Sequence, residues 1–297
     1  MPVTRRTFLR AGFGVSAAAT VGGGLCAEFS SPGSIQVNRI GLKLRRLPEA
    51  LDGLTVALIS DLHMSEYVSA KHIQTAVDMV NQLRPSMVAI VGDFVSSGAS
   101  SSAKDAAYIE PCSGILKGLH APLGCFAVLG NHDHETDPVR ISRTLEESGI
   151  QVLANRSLPI EHQDSRVWMA GVDDALAKKC DFDCSLAGVP HDEPVVLLAH
   201  EPDVIDRGIH HNIDLQLSGH THGGQVRFPG LGIPYLPVLG RKYPEGLYHV
   251  GNAQLYTSRG IGVSGVPFRF ACPPEITLIQ LQSIGSAEKE PRLQSSL

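Results

Sequence analysis

The chain has 297 residues, of which 43% are hydrophobic, and a formal net charge of -5. This length suffices for the core of one large α/β domain or of two small domains. Residues 1–27 contain three arginines and no acidic residue, so the rest of the chain has 22 basic and 30 acidic residues. This acidic balance argues against non-specific binding to nucleic acid.

The N-terminal segment, residues 1–27, has the pattern of an export signal. Arg5 and Arg6 precede an uncharged run, Ala11 to Ala27, that is dominated by alanine and glycine. A membrane span needs about 20 strongly apolar residues. The pattern therefore favours a twin-arginine signal, with an ordinary N-terminal helix as the alternative. We expect recognition by the twin-arginine export machinery and a location in the periplasm or at the cell surface, with membrane anchoring if the signal is retained.

The six cysteines do not form a metal-binding or disulfide pattern. None of them is spaced as C-x-x-C, which disfavours a zinc ribbon, and only five remain if the signal is removed. Cys180 and Cys184 are close enough in sequence to form a bridge in an oxidising compartment. Free, partly buried thiols are the favoured state.

Buried strands alternate with helices through most of the chain. Continuous apolar runs, typical of strands buried on both faces, occupy 54–60, 87–91, 125–129 and 195–199, and a fifth strand is predicted at 213–218. Helical spacing or composition predicts helices near 70–83, 103–119, 140–148 and 203–207. Shorter strands are expected at 151–153, 157–161, 167–172, 247–250, 254–257 and 275–281. This alternation predicts an α/β fold.

The domain organisation follows from this pattern. Residues 28–53 contain a short hairpin or edge segment at 35–44, and one domain extends over 54–282. Within it, 228–246 is rich in proline and glycine and is predicted to be a long loop. The polar tail, 283–297, is expected to be disordered.

Each of the five long strands ends in side chains that can bind a metal. In chain order these ends are Asp61-x-His63, Gly92-Asp93, Gly130-Asn131-His132-Asp133, His200, and the run Gly219-His220-Thr221-His222-Gly223-Gly224-Gln225. Each fragment alone is common. Two histidines in a glycine-rich turn are as often exposed to solvent as bound to a metal. In open α/β sheets, however, the ligand site lies beyond the carboxyl ends of the strands. Five such ends together predict a metal site there.

These strand ends resemble those of the calcineurin-like metallophosphoesterases, from about residue 54 to 281. Within that superfamily, the run from Gly219 to Gln225, the segment Thr257-Ser258-Arg259-Gly260-Ile261-Gly262 and the pair Pro274-Glu275 are similar to small bacterial phosphodiesterases with twin-arginine signals. The resemblance implies a two-layered β-sandwich flanked by helices (αββα), with a two-metal site between strand ends.

By that resemblance, seven side chains hold two divalent ions. One ion is held by Asp61, His63 and His222, the other by Asn131, His200 and His220, and Asp93 bridges both. His132 is the catalytic residue, which protonates the leaving oxygen, with phosphate binding alone as its other role. A nitrogen and oxygen donor set without thiolate favours Mn, Fe or Zn over Ca or Mg.

One departure from the superfamily concerns the residues after Asp93. Phosphoprotein phosphatases have an acid and an arginine there, whereas this chain has Phe94-Val95-Ser96-Ser97. Protein phosphatase activity is therefore disfavoured, and the partner that orients His132 is left open, with Asp133 as one candidate. Arg259 and Arg269 are candidates for holding substrate phosphate, with structural roles as the alternative.

The resemblance implies a metal-dependent hydrolase that cleaves phosphodiester or pyrophosphate bonds. Some relatives act on lipid-linked nucleotides such as UDP-2,3-diacylglucosamine, and phospholipids are a similar class. The apolar loop from Leu231 to Leu239 could grip acyl chains or contact a membrane surface, with packing against the domain as the alternative. A phosphomonoesterase or nucleotidase is the second candidate, and a non-catalytic, metal-stabilised interaction domain is the third.

Overall fold

The computed structural model describes residues 29–30, 34–97 and 104–285. The predicted signal at 1–27 and the tail from residue 286 onward lie outside these ranges. Among the described residues, no helix has the length and apolar character needed to cross a membrane.

The strands of the described residues are, in chain order, β1 (Phe29–Ser30), β2 (Gln36–Leu44), β3 (Thr55–Ile59), β4 (Met87–Val91), β5 (Cys125–Val128), β6 (Ile150–Val152), β7 (Arg156–His162), β8 (Ser165–Gly171), β9 (Val195–Leu198), β10 (Leu215–Ser218), β11 (Gly246–Val250), β12 (Ala253–Thr257), β13 (Arg269–Phe270) and β14 (Glu275–Ser283). The α-helices are α1 (Ala70–Leu83), α2 (Ile109–Leu116), α3 (Asn131–Thr136), α4 (Pro138–Glu147), α5 (Phe182–Ser185) and α6 (Ile205–Gly208). Short 3-10 turns occupy Glu49–Leu51, Asp105–Tyr108, Pro202–Val204 and His222–Gly224.

Two six-stranded sheets form the centre of the molecule. The first has the order β2-β14-β3-β4-β5-β6 and the second β11-β12-β10-β9-β8-β7. Strands β3, β4, β5 and β6 are mutually parallel, as are β8, β9, β10 and β12. Parallel strands of one sheet end at the same edge, so the segments that follow them are brought together.

Apolar layers on both faces of the first sheet explain its continuous hydrophobic strands. Every residue of β4 is buried, because one face packs against the second sheet and the other against α1, α2 and α4. Helix α1 contributes Ile73, Val77 and Val80, at the spacing of one helical face. It begins where Ser69 caps the N–H of His72 and ends at Arg84, which has a left-handed backbone.

The outer face of the second sheet carries a smaller apolar cluster that includes Phe182, Ile205 and Tyr243. The order of layers is therefore helix, sheet, sheet, helix, and the predicted αββα fold is confirmed. The segment at 35–44 forms a single edge strand, β2, parallel to β14. The predicted helix at 103–119 is shorter and starts with a 3-10 turn.

Candidate functional site

The side chains that follow β3, β4, β9 and β10 meet at one end of the two sheets. Ligand-type atoms of Asp61, His63 and His222 lie within 4.8 Å of one another, and so do those of Asp93, His200 and His220. All six residues are buried. The structure thus brings six of the seven predicted metal ligands together in these two groups.

Tight turns at the strand ends aim these side chains. Asp61, His63, Asp93, His220 and His222 all have positive φ, between 47° and 69°, a conformation that costs about 1–3 kcal/mol per non-glycine residue. Backbone hydrogen bonds hold the turns against each other, including Asp61 N–H to Gly92 O at 3.0 Å and His63 N–H to Asp93 O at 2.9 Å. Backbone strain at a cluster of this kind is typical of a functional site.

One carboxylate oxygen of Asp93 lies between the two groups. Its Oδ2 is 3.4 Å from His63 Nε2 and 3.2 Å from His200 Nε2. Its other oxygen, Oδ1, accepts the backbone N–H of His132 at 3.0 Å. The carboxylate is therefore held by one oxygen and presents the other to both groups.

In two histidines, a hydrogen bond from one ring nitrogen to a backbone carbonyl leaves the other ring nitrogen free to bind a cation. His200 Nδ1 donates to Val91 O at 2.8 Å, and His220 Nε2 donates to Val238 O at 2.8 Å. In the neutral rings this leaves lone pairs on His200 Nε2 and His220 Nδ1, which lie only 3.2 Å apart. Two such acceptors repel each other unless a cation or proton lies between them, and this orientation by outer carbonyls is typical of metal-binding histidines.

Burial sets the charge of the ligand groups. It lowers the pKa of His63 to about 3 and that of His220 to about 4, and also lowers the pKa of His222. These imidazoles are therefore neutral near pH 7 and have lone pairs available. Burial raises the pKa of Asp61 to about 6, and a bound cation would offset this cost of keeping the carboxylate charged.

At Asp93 and His200 the charged neighbours together outweigh the effect of burial on the pKa. Burial opposes ionisation of Asp93, but His200 and His132 bring its pKa well below its usual value. Burial likewise opposes protonation of His200, but Asp93 raises its pKa. A divalent cation would compete with a proton for this pair, so metal binding there releases a proton.

The seventh predicted ligand, Asn131, is the first residue of α3. Its Oδ1 atom is buried and has no hydrogen-bond partner among the described residues. A buried carbonyl oxygen left unpaired costs about 1–3 kcal/mol, which a metal ion would offset. The orphaned oxygen, the opposed imidazole nitrogens and the buried carboxylates together fit a site for divalent cations.

The predicted catalytic residue, His132, borders the same cluster. Its ring is 4.7 Å from that of His63, edge to face, and one of its nitrogens lies within 4.8 Å of ligand atoms of His63 and Asp93. Its Nε2 is 3.4 Å from Ser264 Oγ. His132 thus lies beside the cluster of candidate metal ligands.

Comparisons with known proteins agree with this arrangement. The family model for calcineurin-like phosphoesterases matches residues 54–224, which is more than half of the chain. The chain belongs to this family. It is 32% identical to the uncharacterized metallophosphoesterase YkuE of Bacillus subtilis, with 95% of this chain and 98% of YkuE covered.

Two further relatives extend the comparison. The chain is 30% identical to the phosphodiesterase YaeI of Escherichia coli, with 94% of this chain and 99% of YaeI covered. A solved dimetal phosphatase from Danio rerio has the same fold, with a TM-score of 0.50, 12% identity, and 78% of this chain and 93% of that chain covered. This calcineurin-like phosphoesterase is a metal-dependent hydrolase of phosphoester bonds.

The structure decides between alternatives that the sequence left open around this phosphoesterase site. Asp133 does not orient His132, because its carboxylate accepts the backbone N–H groups of Asp93, Phe94 and Gly130 at 2.8–2.9 Å. A neighbouring helical residue projects in another direction, so proximity in sequence was misleading. His132 Nδ1 instead lies 2.6 Å from Ser97 Oγ.

The two arginines proposed for substrate binding are engaged elsewhere. Arg269 is fully buried and donates to backbone carbonyls, among them those of Gly262 and Arg259. Arg259 is paired with Glu275 at 2.7 Å. Arg269 therefore braces the loop from residue 259 to 262 against the turn that carries His222, instead of contacting substrate.

The last residue of the glycine-rich run, Gln225, has a role that its sequence did not reveal. Its side-chain amide donates to the carbonyls of Ser264, Val266 and Phe268, and its oxygen accepts the N–H of Ser264. These four bonds fix the segment 264–268, which places Ser264 beside His132. The position of Gln225 within the motif was a signal, but its partners lie about 40 residues away.

Proposed function

We propose that this protein uses two divalent ions, chosen from Mn, Fe or Zn, to hydrolyse phosphodiester or pyrophosphate bonds. The main support is Asp93, whose Oδ2 faces both ligand groups at 3.4 Å and 3.2 Å from a histidine nitrogen of each. A shared carboxylate is what two neighbouring dications require to moderate their repulsion. The relative YaeI is named a phosphodiesterase, and this name favours diesters over monoesters as substrates.

The chain's own groups have separate roles in this proposal. Asp61, His63 and His222 would hold one ion, Asn131, His200 and His220 the other, and Asp93 both. When bound, the ions would activate water and offset the charge on the phosphoryl oxygens. His132 points Nε2 toward Ser264 at the edge of the cluster, where it would give a proton to the leaving oxygen.

The test compares a diester with a monoester. Purified protein loaded with Mn, Fe or Zn in turn is assayed on bis(p-nitrophenyl) phosphate and on p-nitrophenyl phosphate. We expect the diester to be the better substrate and Asp93→Asn to abolish both activity and binding of the second ion. Preference for the monoester would favour a phosphomonoesterase or nucleotidase, and activity unchanged in Asp93→Asn would remove the two-metal assignment.

A lipid-linked substrate, such as UDP-2,3-diacylglucosamine or a phospholipid, is part of the proposal. The loop before β11 exposes Leu231, Tyr235 and Val238, which are 86%, 58% and 56% accessible. The same loop reaches the site, since Val238 O accepts from His220 Nε2. Acyl chains that bind this loop would therefore have their phosphate close to the metal ligands.

Two measurements test the lipid assignment. Leu231→Ser and Tyr235→Ser should each weaken sedimentation with phosphatidylglycerol vesicles about tenfold or more, since burying one such side chain contributes about 1.5–3 kcal/mol. Both should keep activity on bis(p-nitrophenyl) phosphate but lose it on UDP-2,3-diacylglucosamine or phospholipid. Leu247→Ser, which alters an exposed leucine on β11, is the matched control. Equal behaviour of all three variants would contradict the assignment.

Export by the twin-arginine pathway is also proposed. It is supported by the sequence of residues 1–27, with Arg5 and Arg6 ahead of an uncharged run. Replacing both arginines by lysine should retain the protein in the cytoplasm, as measured by fractionation of cells that express the full chain. Unchanged periplasmic or surface location would contradict the proposal.

A further inference from the structure

A chain of hydrogen-bonding groups leads from the outer side of His132 to a carboxylate. Ser97 Oγ lies 2.6 Å from His132 Nδ1 and donates to Glu135 Oε2 at 2.5 Å. The backbone N–H of Ser97 also points at Nδ1, at 3.0 Å. The opposite nitrogen, Nε2, lies 3.4 Å from Ser264 Oγ, so the chain of groups lies on the other side of the ring from Ser264.

We propose that Ser97 and Glu135 are positioning residues that orient His132 while it gives a proton to the leaving oxygen. This inference rests on the proposed role of His132 as proton donor. A histidine that gives a proton from Nε2 must keep that nitrogen turned toward the substrate, so its Nδ1 side needs hydrogen-bonding partners. Ser97 Oγ is one such partner, and its own hydrogen is directed to Glu135.

The local fold explains why these residues meet. His132 and Glu135 are three positions apart on α3, so they share one face of the helix. Ser97 lies on the segment that leaves β4 through Asp93, and that segment is tied to α3 because Asp133 accepts the N–H groups of Asp93 and Phe94. Asp133, which follows His132 in sequence, thus ties the segment after β4 to α3, whereas Glu135 faces Ser97.

The backbone N–H of Ser97 complements the hydroxyl. It lies 3.0 Å from the same ring nitrogen, Nδ1. Two groups of one residue therefore border the Nδ1 side of the ring and fix its orientation. Glu135 is exposed, so its charge is screened and its contribution is smaller than that of the hydroxyl.

The experiment separates positioning from a purely structural tie between the loop and α3. The metal-loaded full chain and its Ser97→Ala, Ser97→Thr and Glu135→Gln variants are assayed on bis(p-nitrophenyl) phosphate and on diphenyl phosphate. Phenolate is the poorer leaving group and depends more on proton donation. The control is Glu147→Gln, which alters an exposed glutamate on α4 that faces Arg143.

We expect Ser97→Ala to lower kcat on diphenyl phosphate about tenfold and on bis(p-nitrophenyl) phosphate about twofold at most, with KM unchanged. Glu135→Gln should show the same pattern to a smaller degree, Ser97→Thr should restore most of the loss, and Glu147→Gln should match the unaltered protein. Equal losses on the two substrates, or none, would overturn the inference.

A His132→Gln variant distinguishes failure of this inference from failure of the proposed function. If His132→Gln loses far more activity on diphenyl phosphate but Ser97→Ala does not, only the role of the Ser97–Glu135 pair is refuted. If His132→Gln affects both substrates equally, His132 is not the proton donor, and the inference is overturned with it.

Discussion

Substitution of Gly130 tests most sharply how closely the backbone must approach the carboxylate of Asp93. A Cβ atom added there would lie 2.8 Å from both Asp93 N and His200 Cε1, and closer still to Asp93 Oδ1. Ordinary contact begins near 3.4 Å, so these groups would have to move by about 0.6 Å at the least. The φ of Gly130 is -113°, which any residue can adopt, so Gly130→Ala is a purely steric change.

A displacement of about 1 Å can cost roughly 100-fold in rate, so we expect Gly130→Ala to lower kcat/KM on bis(p-nitrophenyl) phosphate by tenfold or more. Overpacking should also reduce the free energy of unfolding by about 1–3 kcal/mol. Kinetics, bound metal by mass spectrometry and urea unfolding measure the three effects. Gly114→Ala, on α2 with nothing within 4 Å, should keep full activity. Full activity and metal content in Gly130→Ala would refute this view of the site.

Three further predictions concern neighbouring groups. Burial would lower the pKa of His134 and raise that of Asp173, but their 2.7 Å hydrogen bond reverses both shifts. The stability that the raised pKa of His134 provides is lost as pH rises through that pKa. The stability that the lowered pKa of Asp173 provides is lost as pH falls through that pKa. His134→Gln should therefore cost about 1–2 kcal/mol of unfolding free energy at pH 6 and much less at pH 9, and an equal cost at both would contradict the pairing. Arg269→Met leaves buried carbonyls unpaired and should cost about 3–5 kcal/mol in urea unfolding; a cost below about 1 kcal/mol would show that those bonds are dispensable. Asn131→Ala should weaken one metal site by about 10–100-fold in calorimetry while Asn131→Asp retains it, and unchanged affinity in Asn131→Ala would exclude Asn131 as a ligand.

The fold could be predicted where local sequence decides it. Strand β4 and helix α1 occur at the predicted residues, because a strand buried on both faces is a continuous apolar run and an amphipathic helix repeats every three or four residues. The positions of the candidate metal-binding side chains were also encoded locally, since each follows the end of a buried strand. To predict that these side chains meet, only one further rule was needed, namely that parallel strands end at a common edge of the sheet.

The remaining features depend on tertiary contacts that a local pattern does not contain. Ser97 and His132 are 35 residues apart, and they meet only because Asp133 ties the segment after β4 to α3. Arg269 was a candidate for substrate binding or for a structural role, and the structure buries it fully, which is rare for an arginine that is not paired. Its bonds to carbonyls of a loop and a turn arise from packing that the sequence around it does not show.

The most direct test of the central claim is anomalous diffraction from crystals of the protein loaded with manganese. We predict two peaks about 3.5–4 Å apart, one bordered by Asp61, His63 and His222, the other by Asn131, His200 and His220, with an Asp93 oxygen bound to both. A single peak, or peaks away from Asp93, would contradict the account.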